Sequence, residues 1–341
     1  MSAVQRMDGS TDSAVHDSLV REDVQMVRAR LARRWLQQDP LNAICEYALD
    51  APGKLFRPIL LLESARAFDA PLEPMMSAAV GTESGHVASL VHDDVIDGDE
   101  LRRGRTSVYS KFGTDRAIVS GDALIFDLFK SLAECHGNGI PAERVVSVLE
   151  IVADCGIELC RGQVLEAEIA EKQITDLDTY FRMIRMKTAA LFRCACECGA
   201  VLAGAPRKGV ASLRTYGENL GLAFQIRDDV LEYEAESRDL GKSKTSDVRN
   251  RRLTLPILLA RQRACANQLS RLESAFSPGP NSDDGWLLAK AVLDETGALT
   301  AAGDCAKDHS RIAREALVAL PESASRDLLN DFARKAVTRT K

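Results

Sequence analysis

The chain has 341 residues, enough for one large domain or two, and 45% of them are hydrophobic, so a sizeable core can be buried. A net charge of -6 argues against nucleic acid or an anionic membrane surface as a general partner. Nine scattered cysteines make no disulfide framework, and no apolar stretch reaches the length of a membrane span. The expected setting is the reducing cytoplasm.

Residues 1–20 are rich in Ser, Asp and Gly, carry no apolar run of a signal peptide, and are expected to be an unstructured tail. Residues 21–341 read as a single all-α domain. Breakers separate the helices at Pro52-Gly53, Pro71 to Pro74, Gly137 to Pro141, Gly204 to Pro206 and Ser277 to Ser282. Val145 to Val152 is β-branched, but its spacing is helical and the segment is too long for a strand. Thr175 with Asp178 predicts a capping box that opens the helix carrying Lys187. Cys194, Cys196 and Cys198 alternate, so on a helix they point apart and suit core packing better than a metal.

Chemistry is concentrated in two acidic stretches. In His92-Asp93-Asp94-Val95-Ile96-Asp97, Asp93 and Asp97 stack on one helical face inside an apolar segment. Two such carboxylates repel unless a cation holds them. Phe224 to Glu232 repeats the device, with Asp228 and Glu232 on one face and Asp229 following Asp228 as Asp94 follows Asp93. Either face could be a solvated surface. Two of them, each flanked by apolar residues, point instead to oxygen ligands for a hard ion, most plausibly magnesium, and to a diphosphate clamped through it.

Several basic residues fit that reading. Lys54 and Arg57 share a face at the start of a helix, and Arg102 and Arg103 follow the first acidic stretch. Lys187-Thr188, Gln225 and Lys242 complete a set large enough for a second diphosphate, with arginine offering bidentate contacts. Gly241-Lys242-Ser243 looks like the tail of a P-loop, but Glu236 stands where the earlier glycine is required and no strand precedes it.

In this order the motifs resemble the trans-type isoprenyl diphosphate synthases, the polyprenyl synthetase family, from about Pro52 to Arg339. The resemblance rests on Gly53-Lys54-x-x-Arg57-Pro58, Glu83-x-x-His86-x-x-Ser89-Leu90-x-His92-Asp93-Asp94-x-x-Asp97 and Arg102-Arg103-Gly104. It continues through Gly121-Asp122, Gly162-Gln163, Lys187-Thr188, Phe224-Gln225-x-x-Asp228-Asp229, Gly241-Lys242, Asp247 and Thr254-Leu255-Pro256.

The resemblance implies an isoprenoid synthase fold, helices around a deep central cavity, and a homodimer. It implies magnesium-dependent condensation of isopentenyl diphosphate with an allylic diphosphate. Asp93, Asp97 and Asp228 would bind magnesium, supported by Asp94, Asp229 and Glu232. Arg102, Lys187, Thr188, Gln225 and Lys242 would hold the allylic diphosphate. Lys54, Arg57, His86 and Arg103 would hold isopentenyl diphosphate, with Phe224 near its carbon skeleton. His92 reads as a structural histidine. Glu232 stands where the family usually has Asp, and Arg339 could reach the isopentenyl site.

Small residues at Ala88 and Ser89, where the family places bulky aromatics to stop growth, imply a product of geranylgeranyl length or longer. Phe126 or Phe129 would then supply the floor. Two rivals remain: a class I terpene cyclase, which needs one diphosphate site, and a non-catalytic subunit of a heteromeric prenyl synthase.

Overall fold

A computed structural model describes residues 9–36, 39–50, 53, 55–234, 248, 251–276 and 282–339. It forms the expected all-α fold. The helices are α1 Gly9–Arg34, α2 Pro40–Leu49, α3 Phe56–Arg66, α4 Met76–Asp97, α5 Val108–Phe112, α6 Thr114–Gly137 and α7 Ala142–Lys172. They continue with α8 Leu177–Ile184, α9 Ala190–Ala203, α10 Arg207–Glu234, α11 Leu255–Arg263, α12 Ala266–Ala275, α13 Ser282–Thr296, α14 Ala298–Ala316 and α15 Ala324–Thr338. Among the described residues the one sheet is a hairpin of β1 Leu101–Arg102 and β2 Arg105–Thr106. No described helix is long and apolar enough to cross a membrane.

One local expectation changes. Of the tail expected over residues 1–20, residues 1–8 lie outside the described residues, and α1 begins at Gly9. Val27 and Leu31 are buried further along, and no proline interrupts residues 10–34, so a helix fixed at its packed end propagates backwards cheaply. Asp176, not Thr175, caps α8. Its carboxylate accepts from the Thr179 N–H and hydroxyl, each at 2.7 Å.

Contacts divide the chain into two compact units. The first holds the residues up to Val152, with Ala195–Leu213 and Ala319–Leu329. Here α4 lies along α6 and beside α3. The α4–α6 approach is close because glycines stand in the seam. A Cβ on Gly81 would come 2.7 Å from the Ser131 Cβ, and one on Gly121 would enter the His92 ring. Gly98, in the left-handed region at φ 68°, ends α4 at its acidic stretch.

The second unit holds Ala153–Cys194, Arg214–Val318 and the residues from Asn330. Its core gathers Tyr180 of α8, Leu222, Ile226 and Val230 of α10, Leu255 of α11 and Trp286 of α13. The Tyr233 and Trp286 rings stack at 6.3 Å with planes 10° apart, and the indole N–H donates to the Glu232 carbonyl at 3.2 Å. The acidic face of α10 is thereby braced from behind. Cys194 here, and Cys196 and Cys198 in the first unit, are buried, as expected of core residues.

Candidate active site

The last turns of α4 present Asp93 and Asp97 on its partly exposed face and turn Asp94 inward, to 2% exposure. Asp94 does not face solvent for a metal. The Arg102 guanidinium donates to its Oδ1, from Nε at 2.6 Å, and also lies 3.6 Å from Asp99. Burial pushes the Asp94 carboxyl up, and the Arg102 contact opposes that shift. Arg102, on the first strand of the hairpin, is therefore tied to the acidic stretch. Behind it, His92 Nε2 donates to the Ile118 carbonyl at 3.2 Å and stands 3.5 Å from Asp122. The ring lies over Gly121, whose missing side chain makes room for it: a Cβ there would be 2.2 Å from Nε2. His92 is a packing residue between α4 and α6, and this explains the pairing of Gly121 with Asp122.

One face further round, the first unit collects cations. Arg57 Nη1 lies 3.0 Å from His86 Nε2. A guanidinium can only donate, so Nε2 accepts and the His86 proton sits on Nδ1. Burial, then the charges of Arg57 and Arg103, holds the His86 imidazole neutral, well below its ordinary range. Glu83, one turn earlier and 4% exposed, is held above the usual carboxylate range by burial, against the pull of Arg57, Arg103 and Arg28. Two backbone anomalies frame the cluster. Leu55, just before α3, has φ 50°, and Arg103, in the hairpin turn with Gly104, has φ 52°. Non-glycine residues held in the left-handed region cluster where a side chain must be aimed. Lys54, expected in this cluster, lies outside the described residues.

In the second unit, Asp228 is partly exposed and Asp229 is buried. Asp229 accepts from the Tyr180 hydroxyl at 2.5 Å, the Gln225 amide at 2.9 Å and the Leu255 N–H at 3.5 Å. Its carboxylate braces α8, α10 and α11, which leaves Asp228 and Glu232 as the residues on the acidic face. Gln225 in turn accepts from the Thr188 hydroxyl at 2.8 Å. Thr188 and Lys187 sit in a π-helical turn, Arg185–Ala189, a form that recurs at functional sites. The Lys187 ammonium bonds Glu166 of α7. Gly162 lets α7 approach that turn, for a Cβ there would meet the Lys187 N at 2.6 Å. Arg339 stacks on the Phe224 ring at 3.7 Å, donates to the Phe224 carbonyl at 3.0 Å and pairs with Asp228 at 2.5 Å. Lys242 lies outside the described residues.

The sequence pattern did not reveal the roles of Tyr180 and Glu166. Glu166 stands one turn beyond Gly162-Gln163, the only signal that could have found it.

The expected chain-length residues separate. Ala88 is fully buried with Val87, Val91 and Leu124, while Ser89 is half-buried on the face that carries Asp93. Phe129 is partly buried, while Phe126, the other floor expected from sequence, faces outward. The Phe126 side chain is 71% exposed, on the outward side of α6, because the seam with α4 is filled by Leu124, Asp127 and Ser131.

Among the described residues no three His, Cys, Asp or Glu side chains gather into a ready metal cage. The donors present still fit magnesium. Asp93, Asp97, Asp228 and Glu232 are all carboxylates, and magnesium completes its shell with water and substrate phosphate oxygens.

Helices with stacked carboxylates beside fixed guanidinium groups define a protein that handles diphosphates. The profile of the polyprenyl synthetase family matches residues 38–291. A short chain isoprenyl diphosphate synthase of Methanothermobacter thermautotrophicus is 36% identical over 286 residues, 83% of this chain and 86% of its own. A geranylfarnesyl diphosphate synthase of Natronomonas pharaonis is 33% identical over 96% of this chain and 99% of its own. The crystal structure of a Caulobacter crescentus polyprenyl synthase, complexed with calcium and isoprenyl diphosphate, superimposes with a TM-score of 0.84 at 32% identity, covering 95% of this chain and 97% of that one. The chain belongs to the polyprenyl synthetase family; it is a prenyltransferase with the isoprenoid synthase fold.

Proposed function

We propose that this chain is a magnesium-dependent trans-polyprenyl diphosphate synthase that condenses isopentenyl diphosphate with an allylic diphosphate and releases a product of geranylgeranyl length or longer. The observation that carries the reading is the partly exposed Asp93–Asp97 face, with Arg102 locked to Asp94 beside it. Asp93, Asp97 and Asp228 would hold magnesium, with Glu232 reaching from one turn beyond Asp228. Bound there, the metal would act as a Lewis acid on the allylic leaving group.

The chain's own residues supply the rest. Lys187, Gln225 and Arg102 stand fixed by Glu166, Thr188 and Asp94 before any substrate arrives, so they stabilise the departing diphosphate without reorganising. The allylic C–O bond breaks and its electron pair leaves with the diphosphate. The isopentenyl double bond then attacks the allylic carbon, and a proton passes to the released diphosphate, so no protein base is required. Arg57, neutral His86 and Arg103 hold the isopentenyl diphosphate, with Lys54 and Lys242 proposed to join the two sets. This second cationic cluster favours a synthase over a cyclase, and retention of both acidic faces favours an enzyme over a non-catalytic subunit.

A homodimer accounts for the outward side of α6, where Ile118, Val119 and Phe126 are 44%, 55% and 71% exposed. Light scattering at twice 37.2 kDa supports it; scattering at that mass alone refutes it. Free thiols at all nine cysteines agree with a cytoplasmic setting. The test of the site is Asp93→Asn and Asp228→Asn. Each should abolish magnesium-dependent turnover while leaving the fold intact by circular dichroism. Wild-type rates in both would refute the metal assignment.

A further inference from the structure

We propose that Arg28 of α1 and Arg105 of β2 are positioning residues for isopentenyl diphosphate, which hold the link between α2 and α3 in place. The inference rests on the synthase reading above and adds two residues to it. The side chains already placed in that cluster come from three parts of the first unit: Arg57 from α3, His86 from α4 and Arg103 from the hairpin turn. They serve one diphosphate only if the three parts stay in register.

The weak point is the start of α3. Leu55 precedes that helix without a side-chain cap and sits at φ 50°, a costly conformation for a branched residue. A helix entry of this kind is held by its surroundings. Two carbonyls of the link before it each accept from a guanidinium. Arg28 Nη2 donates to the Gly53 carbonyl at 2.9 Å, and Arg105 Nη1 donates to the Asp50 carbonyl at 2.9 Å. Both bonds are charge-assisted. In sequence, Gly53 directly precedes Lys54 and stands four residues before Arg57.

Each donor stands on a braced support. Before Arg28, Asp23 pairs with Arg66 of α3; after it, Arg34 pairs with Asp127 of α6 and, at 3.0 Å, with Glu134. Val27 and Leu31 of the same stretch are buried. Arg105 lies over the Tyr47 ring at 4.5 Å and 3.3 Å from the Asp50 carboxylate, and the Tyr47 hydroxyl donates to the Thr106 carbonyl at 2.8 Å. The Arg105 contacts thus join the hairpin that carries Arg103 to the end of α2, and the Arg28 contact joins the link to α1. Without them the link gains conformations in which Arg57 and Arg103 do not converge. Isopentenyl diphosphate must then select the converged fraction, which weakens its apparent affinity and leaves the bond-breaking step untouched.

The test uses the full-length protein. Calorimetric titration with isopentenyl diphosphate without magnesium gives Kd. Initial rates with magnesium, varying isopentenyl or geranyl diphosphate in turn, give kcat and both KM values. Arg28→Ala and Arg105→Ala should each raise the Kd and KM for isopentenyl diphosphate about three- to tenfold, with kcat and the KM for geranyl diphosphate held. Arg30→Ala is the control, since Arg30 lies on the same helix but pairs with Glu73 at 2.5 Å; its constants should match the wild type. Isopentenyl diphosphate constants within twofold of the wild type in both variants overturn the assignment while the synthase reading stands. Equal weakening of both substrates, or the same effect in Arg30→Ala, also overturns it, since a general loosening of the fold would do that. A wild type that neither binds isopentenyl diphosphate nor elongates overturns the synthase reading and this assignment with it.

Discussion

Replacing Tyr180 with Phe removes one donor from the buried Asp229. The hydroxyl lies 2.5 Å from Oδ2, and both residues are buried, at 2% and 5% exposure. Hydrogen bonds to a charged group contribute about 1.5–3 kcal/mol. The carboxylate keeps Gln225 at 2.9 Å and the Leu255 N–H at 3.5 Å, so the loss should fall below the roughly 3–5 kcal/mol of a stranded buried charge. For 341 residues the unfolding entropy is about 0.7 kcal/mol per kelvin, so a loss of about 2 kcal/mol lowers Tm by about 3 °C. The functional effect should exceed the thermal one. Asp229 fixes the turn of α10 that carries Asp228, so the magnesium concentration for half-maximal rate should rise several-fold while the KM for isopentenyl diphosphate holds. Calorimetry and a magnesium titration of the initial rate decide it. A variant with wild-type Tm and wild-type magnesium dependence would refute the view that Asp229 braces the second acidic face.

Two further outcomes are expected. Gly121→Ala places a methyl 2.2 Å from the His92 Nε2 position and should destabilise the chain by about 1–3 kcal/mol. His92→Ala should remove most of that penalty in the double variant, and strict additivity in urea unfolding would contradict the packing role. Glu83 is held above its ordinary value of 4.5 chiefly by burial, so the folded chain keeps a proton that the unfolded chain releases. Stability should therefore be lost as pH rises from 4.5 through the folded value, and Glu83→Gln should be relatively more stable on the alkaline side. Parallel stability profiles for the two proteins between pH 4.5 and 8 would contradict this.

The architecture was legible because it rests on periodicity. The helical spacing of Val145 to Val152 outweighed its β-branched composition, and α7 spans that stretch. The acidic faces were legible for the same reason, since Asp93–Asp97 and Asp228–Glu232 follow from the helical repeat alone. Roles that depend on which way a neighbour turns were not legible. Asp94 and Asp229 differ from Asp93 and Asp228 by one helical step of about 100°, which turns them from the open face to the core. There Arg102 and Tyr180 meet them, from positions that no spacing rule connects. The π-helical turn at Lys187 has no composition signal, and it exists where α7 approaches over Gly162. The outward turn of Phe126 was not legible, because an aromatic residue on an amphipathic helix fits either side, and only the seam with α4 decides which.

The measurement closest to the central claim is turnover of purified protein with labelled isopentenyl diphosphate and dimethylallyl, geranyl, farnesyl or geranylgeranyl diphosphate, with and without magnesium. The expected result is an elongated all-trans series that requires both diphosphates and the metal. A hydrocarbon formed from the allylic substrate alone, or no elongation from any primer, would contradict the account.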